Sequence, residues 1–357
     1  MILLNPGPVN VSPRVTAALG RGDLCHREPE CAALLGAVRE KLLRAFAPAG
    51  GFAATLVTGS GTAAVETAVS SVCSPKGRLV VVANGVYGER MARMAEAQRI
   101  AHTVVEGPWT SPPDLGAVET ALRAPDVEAV AVVHHETTTG LRTPVGEVGR
   151  LARRYGKLCL VDAVSGLGGD PLDLEADGVD VVVGTSGKCV QAFPGIGVVL
   201  VRDAVLERLV AYPPRSLYLS LATYARTPMP FTPAVQVAYA LDEALDELLD
   251  ETVAGRQARY AAAAGIVRNG CEGLGLEIVL PPALRSNTIT SLRLPPGVTY
   301  AALHDGLKAR GFVIYEGQGW FAREAFRVAN MGALAAADFE RFVGALGEVL
   351  AGARRSG

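Results

Sequence analysis

Lysine is scarce in this chain. Of 34 basic residues only five are lysines: Lys41, Lys76, Lys157, Lys188 and Lys308. Arginine does not deprotonate to an amine nucleophile, so amine chemistry is confined to those five positions. A codon preference for arginine would leave the same pattern, and the choice waits on context. An excess of charge is also missing. The balance of 34 basic and 36 acidic residues gives a net charge of −2, with no electrostatic footprint for nucleic acid or an anionic membrane. Long apolar runs are absent. Stretches such as 79–83 and 179–183 have strand length, far short of the ~18 residues of a membrane span. The N-terminus has no basic stretch and meets Pro6 and Pro8 at once, which argues against a signal peptide. Six cysteines, at 25, 31, 73, 159, 189 and 271, show no CxxC spacing. That usage favours reduced thiols in the cytoplasm over a disulfide framework. What is present is ordinary for a folded protein: 357 residues, 49% hydrophobic and 20% charged, enough for two domains.

From residue 55 to 202, short β-branched runs alternate with amphipathic stretches. Runs at 55–58, 79–83, 129–134, 158–162, 179–184 and 196–201 read as buried strands. Helices are expected at 62–72, 87–97, 115–123 and 145–155. Such alternation implies a mostly parallel sheet covered on both faces, with its site at the carboxyl ends of the strands. After Pro233 the pattern changes. A long alanine-rich helix is expected over about 234–267, followed by strands near 276–280, 288–294, 313–315 and 326–328 and helices at 300–310 and 336–351. That is a smaller α+β domain.

Three motifs carry chemistry. Gly59, Gly61 and Ala64 fit G-x-G-x-x-A between a strand and a helix, but the next strand ends at Asn84 without the ribose-binding acid of a dinucleotide site. What remains is either a phosphate cradle at a helix N-terminus, with Ser60 and Thr62 adding hydroxyls, or an ordinary capped turn. The GTSGKC stretch at 184–189 fails as a P-loop, because Val182 and Cys189 stand where Gly and Ser or Thr are needed. It fails as a nucleophile elbow because Lys188 takes the last glycine position. A lysine behind a buried strand is desolvated, which lowers its pKa and frees its amine for carbonyl chemistry. Asp162 ends another apolar strand, where a carboxylate is costly unless it meets a cation. Lys188, Asp162 and the Ser60–Thr62 turn together match the needs of pyridoxal 5'-phosphate: an amine, a carboxylate for the ring nitrogen, and a phosphate cradle. His134 and His135 point to opposite strand faces and no ligand set lies near, so no metal is expected. His134, Glu136 and Thr137 are instead expected to line the cofactor.

These residues resemble the fold-type I pyridoxal phosphate enzymes of the class V aminotransferase family, and within it the 2-aminoethylphosphonate aminotransferases. The resemblance rests on LLNPGP (3–8), CHREPE (25–30), GSGTAAVE (59–66), NGVYGERM (84–91), HETTTG (135–140), VDAVS (161–165), SGKC (186–189), RSL (215–217), FTP (231–233), GFVIY (311–315) and FRVANMG (326–332). It implies that Lys188 bonds the cofactor aldehyde and Asp162 meets the ring nitrogen. Tyr87 would stack on the ring and Thr137 would hydrogen-bond beside it. Ser60, Gly61, Thr62 and Ser186 would hold the phosphate, with Thr232 arriving from the neighbouring subunit of a homodimer with shared sites. Arg327 would grip the substrate's acidic group, and Asn5, Gly7 and Pro8 would form the loop that closes over it, adding backbone N–H groups. The implied reaction passes an amino group between 2-aminoethylphosphonate and a 2-oxo acid such as pyruvate, giving phosphonoacetaldehyde and alanine, or the reverse. The alternatives are an alanine– or serine–glyoxylate-type aminotransferase and, further off, a cysteine desulfurase-like lyase, for which Cys25 and Cys31 lack a supporting loop. The expected division is a substrate-closing segment at 1–14, a large cofactor domain at 15–245 and a small α+β domain at 246–357.

Overall fold

A computed structural model describes residues 1–227 and 229–356; Gly357, the end of the third expected segment, lies outside the described residues. Seven strands form the main sheet, in the order Phe52–Gly59, Gly195–Arg202, Val181–Thr185, Leu158–Asp162, Val127–Val133, Arg78–Ala83, Ala101–Glu106. Only Gly195–Arg202 runs antiparallel to its neighbours. The valine-rich runs are continuous because both faces are covered. Val80, Val82, Val130, Val132 and Val161 enter one apolar cluster, while Leu79, Val81, Ala129, Ala131 and Leu160 enter another. Ala101–Glu106 was not marked by the sequence. It is an edge strand whose only buried residue is Val105, so it lacks the apolar run that betrays the others.

The long helix expected over 234–267 is two helices, Val235–Glu251 and Val253–Gly273. The break falls at Thr252, which adopts φ +66° and caps the second helix by accepting from the Gly255 N–H. Its position has a packing reason. Leu241, Leu245 and Leu248 bury with Leu35, Val38 and Leu42 in the sheet domain, whereas Val267 and Cys271 bury with Phe339, Phe342 and Leu346 in a second core. The chain turns where it passes from one core to the other. Asp242, Glu243 and Asp246 on the first helix come close together but are held by Arg14, Arg21 and Lys41.

The second core backs a three-stranded sheet ordered Ile289–Arg293, Ala325–Ala329, Tyr315–Glu316. The strand expected at 276–280 amounts to a single bridge, Ile278 to Leu292. The strand expected at 313–315 is split: Phe312–Val313 pairs in parallel with Ile2–Leu3, and Tyr315–Glu316 pairs with Ala325–Ala329. The N-terminus is thereby anchored on the second core through Leu4. Among the described residues no helix is long and apolar enough to cross a membrane. All six cysteines are unpaired.

One buried cation joins the second core to the lysine turn. Arg256, 1% exposed, pairs with Glu251 and donates from Nη1 to the Cys189 carbonyl at 2.9 Å. Arg256→Met should lower the unfolding free energy in urea by about 2–3 kcal/mol, because it leaves a buried carbonyl and part of Glu251 unpaired. An unchanged midpoint would contradict this.

Candidate active site

Two parallel strands deliver the central pair. Asp162 ends Leu158–Asp162 and lies opposite Val183 in the neighbouring strand, which ends at Thr185 and turns into Lys188. Asp162 is buried, and among the described residues the one hydrogen bond to its carboxylate is from the Val164 N–H to Oδ1 at 3.0 Å. Among the described residues no cation forms an ion pair with it. Burial pushes its carboxyl up to about 6, against the weaker pull of Arg90 and Lys188. Burial pulls the Lys188 ammonium down to about 8, and the charges of Arg327 and Arg90 act in the same direction. The Lys188 Nζ donates to the Pro6 carbonyl. Gly7, at φ +114°, packs so closely that a Cβ there would meet Lys188 Cδ and Cε at 2.8 Å. The N-terminal loop therefore lies directly on the lysine.

The helix Gly61–Ser71 begins beside this pair. A Cβ at Gly61 would sit 2.8 Å from Val164 Cγ1 and 3.3 Å from Thr185 Cβ, so only glycine lets the helix start here. Ser60 is its N-cap without a side-chain capping bond, and both Ser60 and Thr62 are exposed. Tyr87 stands in the first turn of the next helix, Val86–Ala97, with its amide bonded to Glu136 Oε2 at 3.1 Å. Thr137 is buried, and its hydroxyl has no hydrogen-bond partner.

Arg327 arrives from the second core on Ala325–Ala329. Its Nε donates to the Glu316 carbonyl at 3.0 Å and its Nη1 to the Thr137 carbonyl at 3.0 Å, with Gln318 Oε1 at 3.4 Å. Every acceptor is neutral, and no carboxylate among the described residues pairs with it. This buried cation keeps its charge available for an anion.

Some expectations need correction. Ser186 is fully buried; its hydroxyl donates to the Phe193 carbonyl at 2.6 Å and accepts from the Ile196 N–H, so its proton is not free for a phosphate. The Asn5–Pro8 loop does not offer a set of N–H groups: the Gly7 N–H is spent on the Asn5 carbonyl at 2.7 Å, and Pro6 and Pro8 have none. The Asn5 amide closes the same loop onto the Pro8 carbonyl at 2.9 Å. Glu136 turns back to cap Tyr87 and Thr138, and His134 bonds the Pro171 carbonyl. Thr232 is exposed on a turn that lies against Phe52–Gly59, at the sheet edge opposite Ala101–Glu106, where Ala234 N–H reaches Thr58 Oγ1 at 3.3 Å.

Two features were missed. Arg90, one helical turn after Tyr87, places its guanidinium 4.5 Å from the Tyr87 ring centroid and Nη1 3.4 Å from Thr62 Oγ1. Its spacing within NGVYGERM was the available signal. His135 Nδ1 lies 3.2 Å from Asp170 Oδ2, both fully buried. Burial would raise the Asp170 carboxyl, but His135 and His134 outweigh it and leave it below its ordinary value. Asp170 also takes the Asn287 N–H at 2.7 Å, tying the sheet domain to the strand that pairs with Arg327's own. Nothing in the local sequence joins residues so far apart.

Comparison with known proteins agrees with this arrangement. Residues 15–318 match the family model of class V aminotransferases. A 2-aminoethylphosphonate–pyruvate transaminase of Syntrophobacter fumaroxidans is 37% identical over 354 residues, 96% of this chain and 94% of that one. Its namesake in Vibrio vulnificus is 35% identical over 356 residues, covering 97% and 96%. The solved aspartate aminotransferase of subgroup IV from Thermus thermophilus superposes with a TM-score of 0.91 at 29% identity, covering 99% of each chain. The chain belongs to the class V aminotransferase family. It is a pyridoxal phosphate-dependent enzyme of the aminotransferase class.

The residues fit that cofactor. Asp162 lacks a cation that a protonated ring nitrogen would provide, the Thr137 hydroxyl lacks a partner, and the Gly61 helix start offers N–H groups to a phosphate. The neutral amine is the nucleophile, and burial brings Lys188 from 10.5 to about 8. Cofactor-stripped protein should therefore rebind pyridoxal phosphate at a rate that rises with pH through a midpoint near 8. A midpoint near 10.5 in stopped-flow absorbance would contradict the burial of this amine.

Proposed function

We propose that the enzyme transfers an amino group between 2-aminoethylphosphonate and a 2-oxo acid, pyruvate, giving phosphonoacetaldehyde and alanine, or the reverse. The observation that carries this reading is Arg327, a buried guanidinium with neutral partners that adds its charge to the surroundings of Lys188. The names of the relatives above support it. When bound, the cofactor supplies a ring that withdraws electrons from the substrate's amine-bearing carbon. Asp162 holds a proton on the ring nitrogen, its burial making it a strong partner for that charge. The Lys188 Nζ takes the proton from the amine-bearing carbon and returns one in the second half of the reaction. A pKa near 8 suits both duties at working pH.

Ser60, Gly61 and Thr62 serve the cofactor phosphate, and Arg90 stands beside Thr62 as a further cation for it. Tyr87 covers the ring and the Thr137 hydroxyl bonds beside it, while Ser186 shapes the turn rather than binding. The Asn5–Pro8 loop keeps water from Lys188. Arg327 takes the phosphonate in one half-reaction and the carboxylate in the other, its planar fork suiting both anions. Thr232 reaches the phosphate of a second copy, making the active unit a homodimer with shared sites, and the enzyme works in the cytoplasm.

The half-reactions test the substrate. At equal concentration, 2-aminoethylphosphonate should convert the bound cofactor to its amino form faster than serine or aspartate does. Arg327→Lys should slow the phosphonate and alanine half-reactions alike, roughly 10- to 100-fold, the worth of a charge-assisted bond. Rapid conversion by serine, with the spectrum unmoved by 2-aminoethylphosphonate, would move the assignment to a glyoxylate-type aminotransferase.

A further inference from the structure

The two tryptophans of this chain stack on each other, with ring centroids 4.9 Å apart and planes 7° from parallel. Trp109 is buried in the loop after the edge strand Ala101–Glu106; Trp320 is 75% exposed, an unusual setting for so large an apolar ring. Trp320 belongs to a loop that holds Arg327, and Trp109 is bonded to a turn that does. On one side, the Trp109 carbonyl accepts from Thr139 Oγ1 at 3.0 Å. Thr139 lies in the same turn as Thr137, whose carbonyl accepts from Arg327 Nη1 at 3.0 Å. On the other side, Trp320 sits in the short helical turn Gly319–Phe321. Just before it come Gln318, with Oε1 3.4 Å from Arg327 Nη1, and Glu316, whose carbonyl accepts from Nε at 3.0 Å. Gly319 has φ +58°, and a Cβ there would lie 2.3 Å from the Trp109 ring, so the two segments meet as closely as glycine allows.

Arg327 thus sits between a turn of the sheet domain and a loop of the second core, and the stack ties that loop to the Trp109 segment on which the turn is bonded. We propose that Trp109 and Trp320 form a clamp that positions Arg327 and Gln318 on the substrate's acidic group. Gln318 is the second side chain of that binding site. Among the described residues it supplies the only side-chain acceptor on Arg327, at the longest of the three distances, and its amide can turn an N–H toward an anion that takes its place. The inference rests on reading Arg327 as the acid-group residue. Trp109 and Trp320 are positioning residues; they act through the loops and touch neither substrate nor cofactor.

Steady-state kinetics of the loaded enzyme, with intrinsic fluorescence, test the clamp. Trp320 is exposed, so Trp320→Ala should leave both cores folded. The KM values for 2-aminoethylphosphonate and for pyruvate should rise together, roughly two- to tenfold, the scale of one aromatic stack, with kcat little changed. Trp320→Phe should restore most of the loss. Gln318→Glu should raise both KM values further than Gln318→Ala, because a carboxylate would pair with Arg327 in the substrate's place. Saturating the wild type with 2-aminoethylphosphonate should shift tryptophan emission, and Trp320→Ala should remove that shift. Unchanged KM values in Trp320→Ala, or a fall in melting temperature alone, would overturn the clamp. If the wild type ignores 2-aminoethylphosphonate while Trp320→Ala still raises KM for alanine, the substrate reading fails and the clamp stands.

Discussion

A carboxylate buried without a protein cation is the constraint on which the rest of this site depends. Asp162 has a single backbone N–H for company, and burial has already moved its carboxyl to about 6. Such a group is tolerated when a positive charge comes to meet it. Its neighbours repeat the pattern with the opposite sign: Lys188 is drawn down to about 8, and Arg327 is buried among neutral acceptors. The fold keeps these charges near one another without letting them cancel. Such an arrangement destabilises the empty protein, and the close-packed valine sheet offsets it.

The sheet also explains the geometry. Parallel strands put Asp162 and the Lys188 turn at neighbouring carboxyl ends, and glycine at position 61 lets a helix N-terminus approach both. Arg327 does not come from the seven-stranded sheet. It is carried on a strand of the second core, so the site exists only while the two cores are held in register. Among the joints that hold them are Arg256 on the Cys189 carbonyl, Asp170 and His135 on Asn287 and Thr288, and the tryptophan stack beside Arg327. Each is buried or glycine-tight, which suits a site assembled from distant parts of the chain.

Much of this was legible in the sequence, for physical reasons. A charged residue at the end of an apolar run is conspicuous, and that singled out Asp162 and Lys188. Continuous β-branched runs marked the doubly covered strands, while the exposed edge strand Ala101–Glu106 carried no such mark. Arg327 was named only through family resemblance, because its setting depends on contacts between residues 190 positions apart. Ser186 shows a different limit: sequence reveals a hydroxyl but not which carbonyl takes its proton. Thr252 broke an apparently continuous helix because packing, rather than propensity, decided where the chain changed cores. Arg90 was in plain view within a quoted motif, and only its distance to Thr62 and Tyr87 drew it into the site.

The central claim is that Asp162 owes its tolerance to a positive charge on the cofactor ring. The direct measurement is the 15N resonance of the ring nitrogen in enzyme loaded with labelled pyridoxal phosphate. The account predicts a protonated nitrogen in the wild type at neutral pH and a deprotonated one in Asp162→Asn. A neutral ring nitrogen in the wild type, or one unaltered by the substitution, would contradict it.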